Sequence, residues 1–243
     1  MKKSILIIIA ATFLMFACKK ESTTAPASTP SSPTSTVTVE GMFIAYHNVQ
    51  SIIDTWSAGA EFWESSNSTL LIDGDSVSIN SNWLYNWSGS FGQHREWTAP
   101  SVSPLNFSNY YYWQTTGNAK VPAINHTNAN LMPYMDASYL TTTTVSKALG
   151  VTITHPNINS TKTEYKIFKP SASGGSLFLL KTVIGNSTGV TFSASELAGI
   201  PTGSNSAIRI VAYSDEVISP QAAVNFTFSN QCELQKGSIT ITN

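Results

Sequence analysis

Val224-Asn225-Phe226-Thr227-Phe228 is the stretch that decides the fold class. Its large apolar residues alternate with short polar ones, so an extended strand would turn every apolar side chain to one face and every polar one to the other. The same period of two recurs at Ile208/Ile210, Val190/Phe192, Tyr165/Ile167, Val151/Ile153 and Val77/Ile79 on one side, and at Ile239/Ile241 on the other. Short alternating runs bounded by Gly, Asn and Pro are the pattern of antiparallel sheets with one wet face. Parallel strands are covered on both faces and read as continuous apolar runs. The expectation is an all-β fold of two antiparallel β-sandwich domains.

Two segments carry helical signals. Val49, Ile52, Ile53, Trp56, Ala60 and Trp63 recur near a period of 3.6, whereas Met42 to Val49 alternates and Gly59 weakens a helix interior. The reading is strands with at most a turn of helix near Ile52. Ser193-Ala194-Ser195-Glu196 has capping-box spacing and predicts a short helix before Leu197.

The chain changes character at Thr141 to Thr144. From Val37 to Leu140 eight acids (Glu40, Asp54, Glu61, Glu64, Asp73, Asp75, Glu96, Asp136) face only Arg95 and Lys120, and all six tryptophans lie in this part. From Thr141 onward seven cations face five acids. Two units with different tasks are expected, an acidic, aromatic-rich domain over 37–140 and a β-sandwich over 141–243.

Residues 1–17 read as a secretory leader: Lys2 and Lys3, an apolar run from Ile5 to Ala17, then a small residue at the cut site. The run is too short for a membrane span. Met15-Phe16-Ala17-Cys18 resembles the lipobox of bacterial lipoproteins. That resemblance implies cleavage before Cys18, acylation of its sulfur and a lipid anchor strong enough for stable membrane attachment. The alternative is a plain signal peptide with an incidental cysteine. Lys19 leans toward the outer membrane, with the leaflet left open. Ser22 to Thr36 contains only Ser, Thr, Ala and Pro, so 18–36 reads as a lipidated start and a disordered tether; at ~3.1 Å per residue its fifteen-residue Ser/Thr/Ala/Pro run reaches at most roughly 45 Å. Removing Lys2 and Lys3 deepens a formal net charge that is −1 for the whole chain. Nucleic acid is therefore excluded as an expected partner, since phosphate binding needs clustered Lys and Arg.

With Cys18 committed to lipid, Cys232 has no partner within the chain, and is expected either to be buried or to bridge to another molecule. Leu197-Ala198-Gly199-Ile200-Pro201-Thr202-Gly203 followed by Ile208 to Tyr213 resembles the E-to-F passage of fibronectin type III and immunoglobulin-like modules. The whole chain resembles the tethered two-part β lipoproteins of Bacteroidota. These resemblances imply an immunoglobulin-like second half and an envelope address, and they imply no activity.

Chemistry concentrates between Trp83 and Trp113. Trp83, Tyr85, Trp87, Phe91, Trp97, Phe107, Tyr110, Tyr111, Tyr112 and Trp113 are interleaved with Asn82, Asn86, Gln93, Asn106, Asn109, Gln114 and Asn118. A pyranose stacks its C–H face on an aromatic ring while its hydroxyls pair with fixed amides, so Trp83, Tyr85, Trp87, Trp97, Tyr110, Tyr112 and Trp113 are the candidate ligand-binding residues. The competing reading is a core, since strand aromatics pack inward. Trp83, Tyr85 and Trp87 would share one face of any strand they share, and Tyr110 to Trp113 would turn at least two rings away from the core.

Other constellations are thinner. Asp73-Gly74-Asp75 signals a hairpin turn, with calcium as the functional alternative. Asp75-Ser76-Val77 resembles the short O-glycosylation site of Bacteroidota envelope proteins, which makes Ser76 a candidate. Glu61, Glu64, Glu96 and Asp136 could supply a glycosidase pair, although no spacing singles them out. His47, His94, His126 and His155 are isolated, so no metal or other cofactor is expected. His94-Arg95-Glu96-Trp97 reads as a charged loop with Arg95 stacking on the indole. The expected function is non-catalytic binding of a glycan or another surface polymer by a lipid-anchored envelope protein. A structural or adhesion component contacting protein partners is the alternative, and a glycoside hydrolase the third.

Overall fold

The structure, a computed structural model, describes residues 39–49, 54–64, 67–72, 76–89, 92–99, 111–171 and 175–243. The strands in chain order are β1 (Val39–Val49), β2 (Asp54–Glu64), β3 (Asn67–Leu71), β4 (Val77–Ile79), β5 (Asn82–Trp83), β6 (Tyr85–Gly89), β7 (Gly92–Ala99), β8 (Tyr112–Thr115) and β9 (Ile124–Thr127). They continue with β10 (Thr144–Ser146), β11 (Val151–Thr154), β12 (Lys162–Lys169), β13 (Ser176–Ile184), β14 (Gly189–Phe192), β15 (Gly203–Gln221) and β16 (Val224–Thr242). Among the described residues one short helix, α1 (Ala194–Leu197), carries the expected capping box: Ser193 Oγ accepts from Glu196 N and the Glu196 carboxylate accepts from Ser193 N. The fold is all-β, with that turn of helix and a 3-10 turn at Ala137–Tyr139 as decoration. The segment from Asp54 to Glu64 is a strand; the helical turn expected near Ile52 falls outside the described residues.

One large sheet runs in the order β13-β12-β15-β16-β1-β2-β7-β6, with β10 also on β16 and β3 on β2. Two small sheets accompany it, β5-β4-β8-β9 and β11-β14. The large sheet is mixed, because β1 and β10 both run parallel to β16. Val39 to Val49 pair residue by residue with Val224 to Leu234, so the sheet crosses the sequence boundary at Thr141 without a break. The hairpin of β15 and β16, nineteen residues each, serves both halves: its base pairs with β12 and β10, and its tip completes the sheet that holds β1 and β2.

Burial follows the period-two reading. β1 alternates without exception, with Val39, Phe43, Ala45, His47 and Val49 inward. Phe43 stands at the centre of an aromatic cluster, stacked on Phe228 at 4.6 Å and edge-on to Phe62 (5.4 Å), Trp113 (5.3 Å) and Phe226 (5.6 Å). Trp113 belongs to β8, so this cluster joins the four-stranded sheet to the inner face of the large one. Each such ring stabilises by roughly 1.5–3 kcal/mol through burial, and aromatic edges add about 0.5–1.5 kcal/mol. Gly41 makes the room: a Cβ there would lie 2.6 Å from the Phe226 ring and 2.7 Å from the Phe62 ring.

The β11-β14 sheet covers the other end, contributing Ile153 and Phe192 to the same core with Ile167, Ile208 and Ile210. A buried polar chain fixes it. His155 Nε2 lies 2.6 Å from the Tyr165 hydroxyl, which is 2.5 Å from Ser187 Oγ, while His155 Nδ1 lies 2.7 Å from the Pro156 carbonyl. Among the described residues no helix is long and apolar enough to cross a membrane.

Candidate functional site: the outer face of the four-stranded sheet

The β4–β5 hairpin sets the site. Its two turn residues, Asn80 and Ser81, both have positive φ (47° and 66°), the geometry whose twist suits a two-residue hairpin. Asparagine tolerates that region, and its amide makes use of it: Asn80 N donates to the Tyr112 carbonyl (2.8 Å) and Asn80 Oδ1 accepts from Tyr112 N (2.8 Å). Asn82 Nδ2 donates to the Asn80 carbonyl at 3.2 Å. The turn is thereby tied to β8, and Trp83 follows it at a fixed height.

Register places the side chains. Trp83 pairs with Ser78, Ser78 with Gln114, and Gln114 with Asn125. Residues paired across strands share a face, so Trp83, Ser78, Gln114 and Asn125 form one row across four strands, spanning roughly 14 Å at ~4.8 Å per strand. Tyr112, two residues before Gln114, stands on the same face beside Thr127. The opposite face holds Ile79 and Trp113, both fully buried.

The row is set in advance by its own hydrogen bonds. Asn125 Oδ1 accepts from Gln114 Nε2 (2.9 Å) and from the Tyr112 hydroxyl (3.2 Å). That leaves the Asn125 amide nitrogen as a donor and the Gln114 carbonyl as an acceptor toward solvent. Trp83 is 56% exposed, and Ser78 beneath the row is fully buried with no hydrogen-bond partner for its hydroxyl among the described residues.

The sequence-predicted residues separate. Trp83 and Tyr112 lie on this face. Trp113 does not: it is fully buried against Phe43, because β8 alternates and Trp113 takes the inward position. Tyr111, also buried, goes with it. Trp83, Tyr85 and Trp87 do not share a strand, since Leu84 is buried, donates its N–H to the Val77 carbonyl and ends the hairpin; Tyr85 and Trp87 belong to β6 of the large sheet and Trp97 to β7. The side chains of those three, with Phe91, Phe107 and Tyr110, fall outside the described residues, as do Cys18, the tether and Asp73 to Asp75. Ser76 exchanges hydrogen bonds with Thr116 at the end of this sheet, N–H to Oγ1 at 3.2 Å and carbonyl from N–H at 3.0 Å. Asn125 was not legible as a site residue, because the four-residue strand Ile124–Thr127 has only one apolar residue to mark it, nor was Asn80, whose role depends on a contact with the distant Tyr112.

The remaining candidates are dispersed. Asp136 caps the 3-10 turn, and its hydrogen bonds from Ser138 hold its carboxyl below the ordinary range. Glu64 faces Lys120 at 4.0 Å, and Glu61 stands in register with Met42 on the outer face of the large sheet. Burial acts to raise Glu164, but hydrogen bonds from Lys166 and Tyr213 and the nearby Lys162 hold it lowered. His47 stacks on Trp56 at 3.5 Å and lies 3.5 Å from the buried Cys232 Sγ; His126 lies 3.2 Å from Glu216, and His155 belongs to the Tyr165 chain. Among the described residues no three potential ligands converge on a metal position. Comparison with protein families, with curated proteins and with solved structures finds no match to this chain.

Proposed function

We propose that the protein is a non-catalytic binding module for a glycan or another surface polymer, carried on the cell envelope by a lipid anchor at Cys18, with the outer face of the β5-β4-β8-β9 sheet as its contact surface. The observation that supports this is the row itself: an exposed indole in register with two amides whose rotamers are already held by one another and by a tyrosine hydroxyl. Preorganised polar groups beside a rigid ring lower the ordering cost of binding. The carboxy-terminal strand order supports an immunoglobulin-like assignment for that half, with β13-β12-β15-β16 in the places of C′-C-F-G and β11-β14 in those of B-E.

The test is calorimetric titration of the full chain with a polysaccharide panel, alongside Trp83→Ala and Gln114→Ala. Saturable binding lost in both folded variants is the expected result. Undiminished binding in Trp83→Ala removes this face as the site.

A second reading, a structural component that pairs with protein partners, draws on β13. This strand is an edge of the large sheet, and Leu177, Leu180 and Ile184 on it are exposed. Its charged residue, Lys181, is neutralised by Glu196 at 2.8 Å. Natural edges are usually guarded by free charge. Leu180→Lys abolishing association with envelope proteins, while Trp83→Ala leaves it intact, would favour this reading.

A further inference from the structure

We infer that the ligand of the Trp83 face is an uncharged, linear glycan lying across the strands; this rests on the binding-face reading above. Three rows of the face are described: Tyr112 and Thr127; Trp83, Ser78, Gln114 and Asn125; and Ser76 with Thr116. None of these eight side chains is ionisable at neutral pH. The nearest described cation in sequence, Lys120, stands 4.0 Å from Glu64, and the part of the chain that holds the face has eight acids against two cations. Among the described residues of this face a uronate, sulfate or phosphate would find no counter-charge, in a part of the chain whose formal charge is negative.

The polar groups fit hydroxyls better than anions. An anionic group only accepts hydrogen bonds, and a face built for one offers donors alone. This face offers the Asn125 amide nitrogen as a donor and the Gln114 carbonyl as an acceptor, a combination that a sugar hydroxyl satisfies from both sides. The row runs perpendicular to the strands over ~14 Å, about three hexose units of roughly one inter-strand step each. One unit stacks on Trp83, and the third reaches Asn125.

The experiment titrates the full chain, held in a detergent without a sugar headgroup, with gluco-, manno- and xylo-oligosaccharides of one to six units, and with oligogalacturonates of the same lengths. At least one neutral series should gain affinity by about tenfold or more from monomer to trimer and then level off. That binding should be insensitive to salt and should be lost in both Trp83→Ala and Asn125→Ala. Oligogalacturonate binding as tightly as the neutral series, with an affinity that falls as salt rises, overturns the uncharged-ligand inference and leaves the binding face standing. Monomer binding as tightly as trimer overturns the linear placement. Absence of binding by any sugar overturns this inference and the glycan reading above, and leaves the face only to a polymer that is not a glycan.

Discussion

The two small sheets pack against the same large sheet and differ in what they turn to solvent. The β11-β14 sheet buries Ile153 and Phe192 and presents Thr152 and Thr191, whose hydroxyls meet at 3.0 Å. The β5-β4-β8-β9 sheet buries Val77, Ile79 and Trp113 and presents Trp83, Tyr112, Gln114 and Asn125. Both turn one apolar face to the core, although Ser78 of β4 is buried on the other side too, so the fold's demand for one apolar face is met by either. Threonines satisfy the solvent side of a strand by β-propensity and a hydroxyl. An indole left 56% exposed gains only part of what a core ring gains from folding, and its presence on a face of locked amides calls for a reason outside the fold. The threonine face is thus the natural control for the tryptophan face.

The sharpest way to break the comparison sets Trp113 against Trp83, two tryptophans of one small sheet on opposite sides. Trp113→Ala should cost about 3–5 kcal/mol, because a fully buried ring in contact with Phe43 leaves a cavity. Trp83→Ala should cost clearly less, about 1 kcal/mol, because only part of its ring is withdrawn from water. Denaturant unfolding of the two variants reads the difference. Trp113→Phe should cost clearly less than Trp113→Ala, since the indole N–H has no partner among the described residues and its loss leaves nothing unpaired. Equal costs at the two tryptophans would mean that Trp83 is packed as core and would end the functional reading of its exposure.

Next in size is the aromatic cluster that carries the four-stranded sheet. Gly41→Ala places a methyl 2.6 Å from the Phe226 ring and 2.7 Å from the Phe62 ring. Neither can retreat freely, as each also packs on Phe43. A loss of about 1–3 kcal/mol is expected, seen as a lower denaturant midpoint at unchanged slope together with a weakened near-UV aromatic signal. A neutral result would show that the cluster is loose, and with it the platform it supports.

What could be read from the chain alone divides along the same line between local and distant information. Alternation at Val77/Ile79, Tyr165/Ile167 and Val224/Phe226/Phe228 marked inward residues correctly, because period two is a property of the strand itself. The capping box at Ser193 was legible for the same reason. The parallel partnership of β1 with β16 was not, since nothing in Val39 to Val49 encodes a neighbour at Val224 to Leu234. Nor was the change of sheet at Leu84, which depends on an N–H reaching the Val77 carbonyl. Aromatic density pointed to the right region and mixed core with surface: Trp113 and Trp83 look alike in sequence until register assigns their sides.

A smaller effect separates the surroundings of the threonine sheet, where α1 follows β14. Ser193→Ala removes the cap of α1 and should cost about 1 kcal/mol. The cap also carries a pH signature. A hydrogen bond from Lys181, then the Ser193 backbone N–H and hydroxyl, pull the Glu196 carboxyl down to about 2. In the unfolded chain it titrates near its ordinary 4.5, so the unfolded state takes up the proton first as pH falls. Its contribution is therefore complete above about pH 4.5 and fades as the pH drops toward about 2. Thermal unfolding of Glu196→Gln should be less steep in pH across that window than the wild-type protein. The pair is solvent-exposed, so the difference should also shrink in high salt.

The smallest expected effect closes the comparison from its other side. Thr152→Ala breaks a cross-strand hydroxyl pair that water can replace, for a cost of about 0.5 kcal/mol or less. The informative readout is glycan binding, which should be unchanged, because Thr152 and Thr191 present no ring and no amide. If Thr152→Ala weakened binding as strongly as Trp83→Ala, binding would depend on the integrity of the whole sandwich rather than on one face. Trp83 would then be a sensor of folding instead of a contact. Unchanged binding in Thr152→Ala beside abolished binding in a folded Trp83→Ala confines the ligand to the sheet whose outer face carries an aromatic, since an inward apolar face and a covering core are common to both.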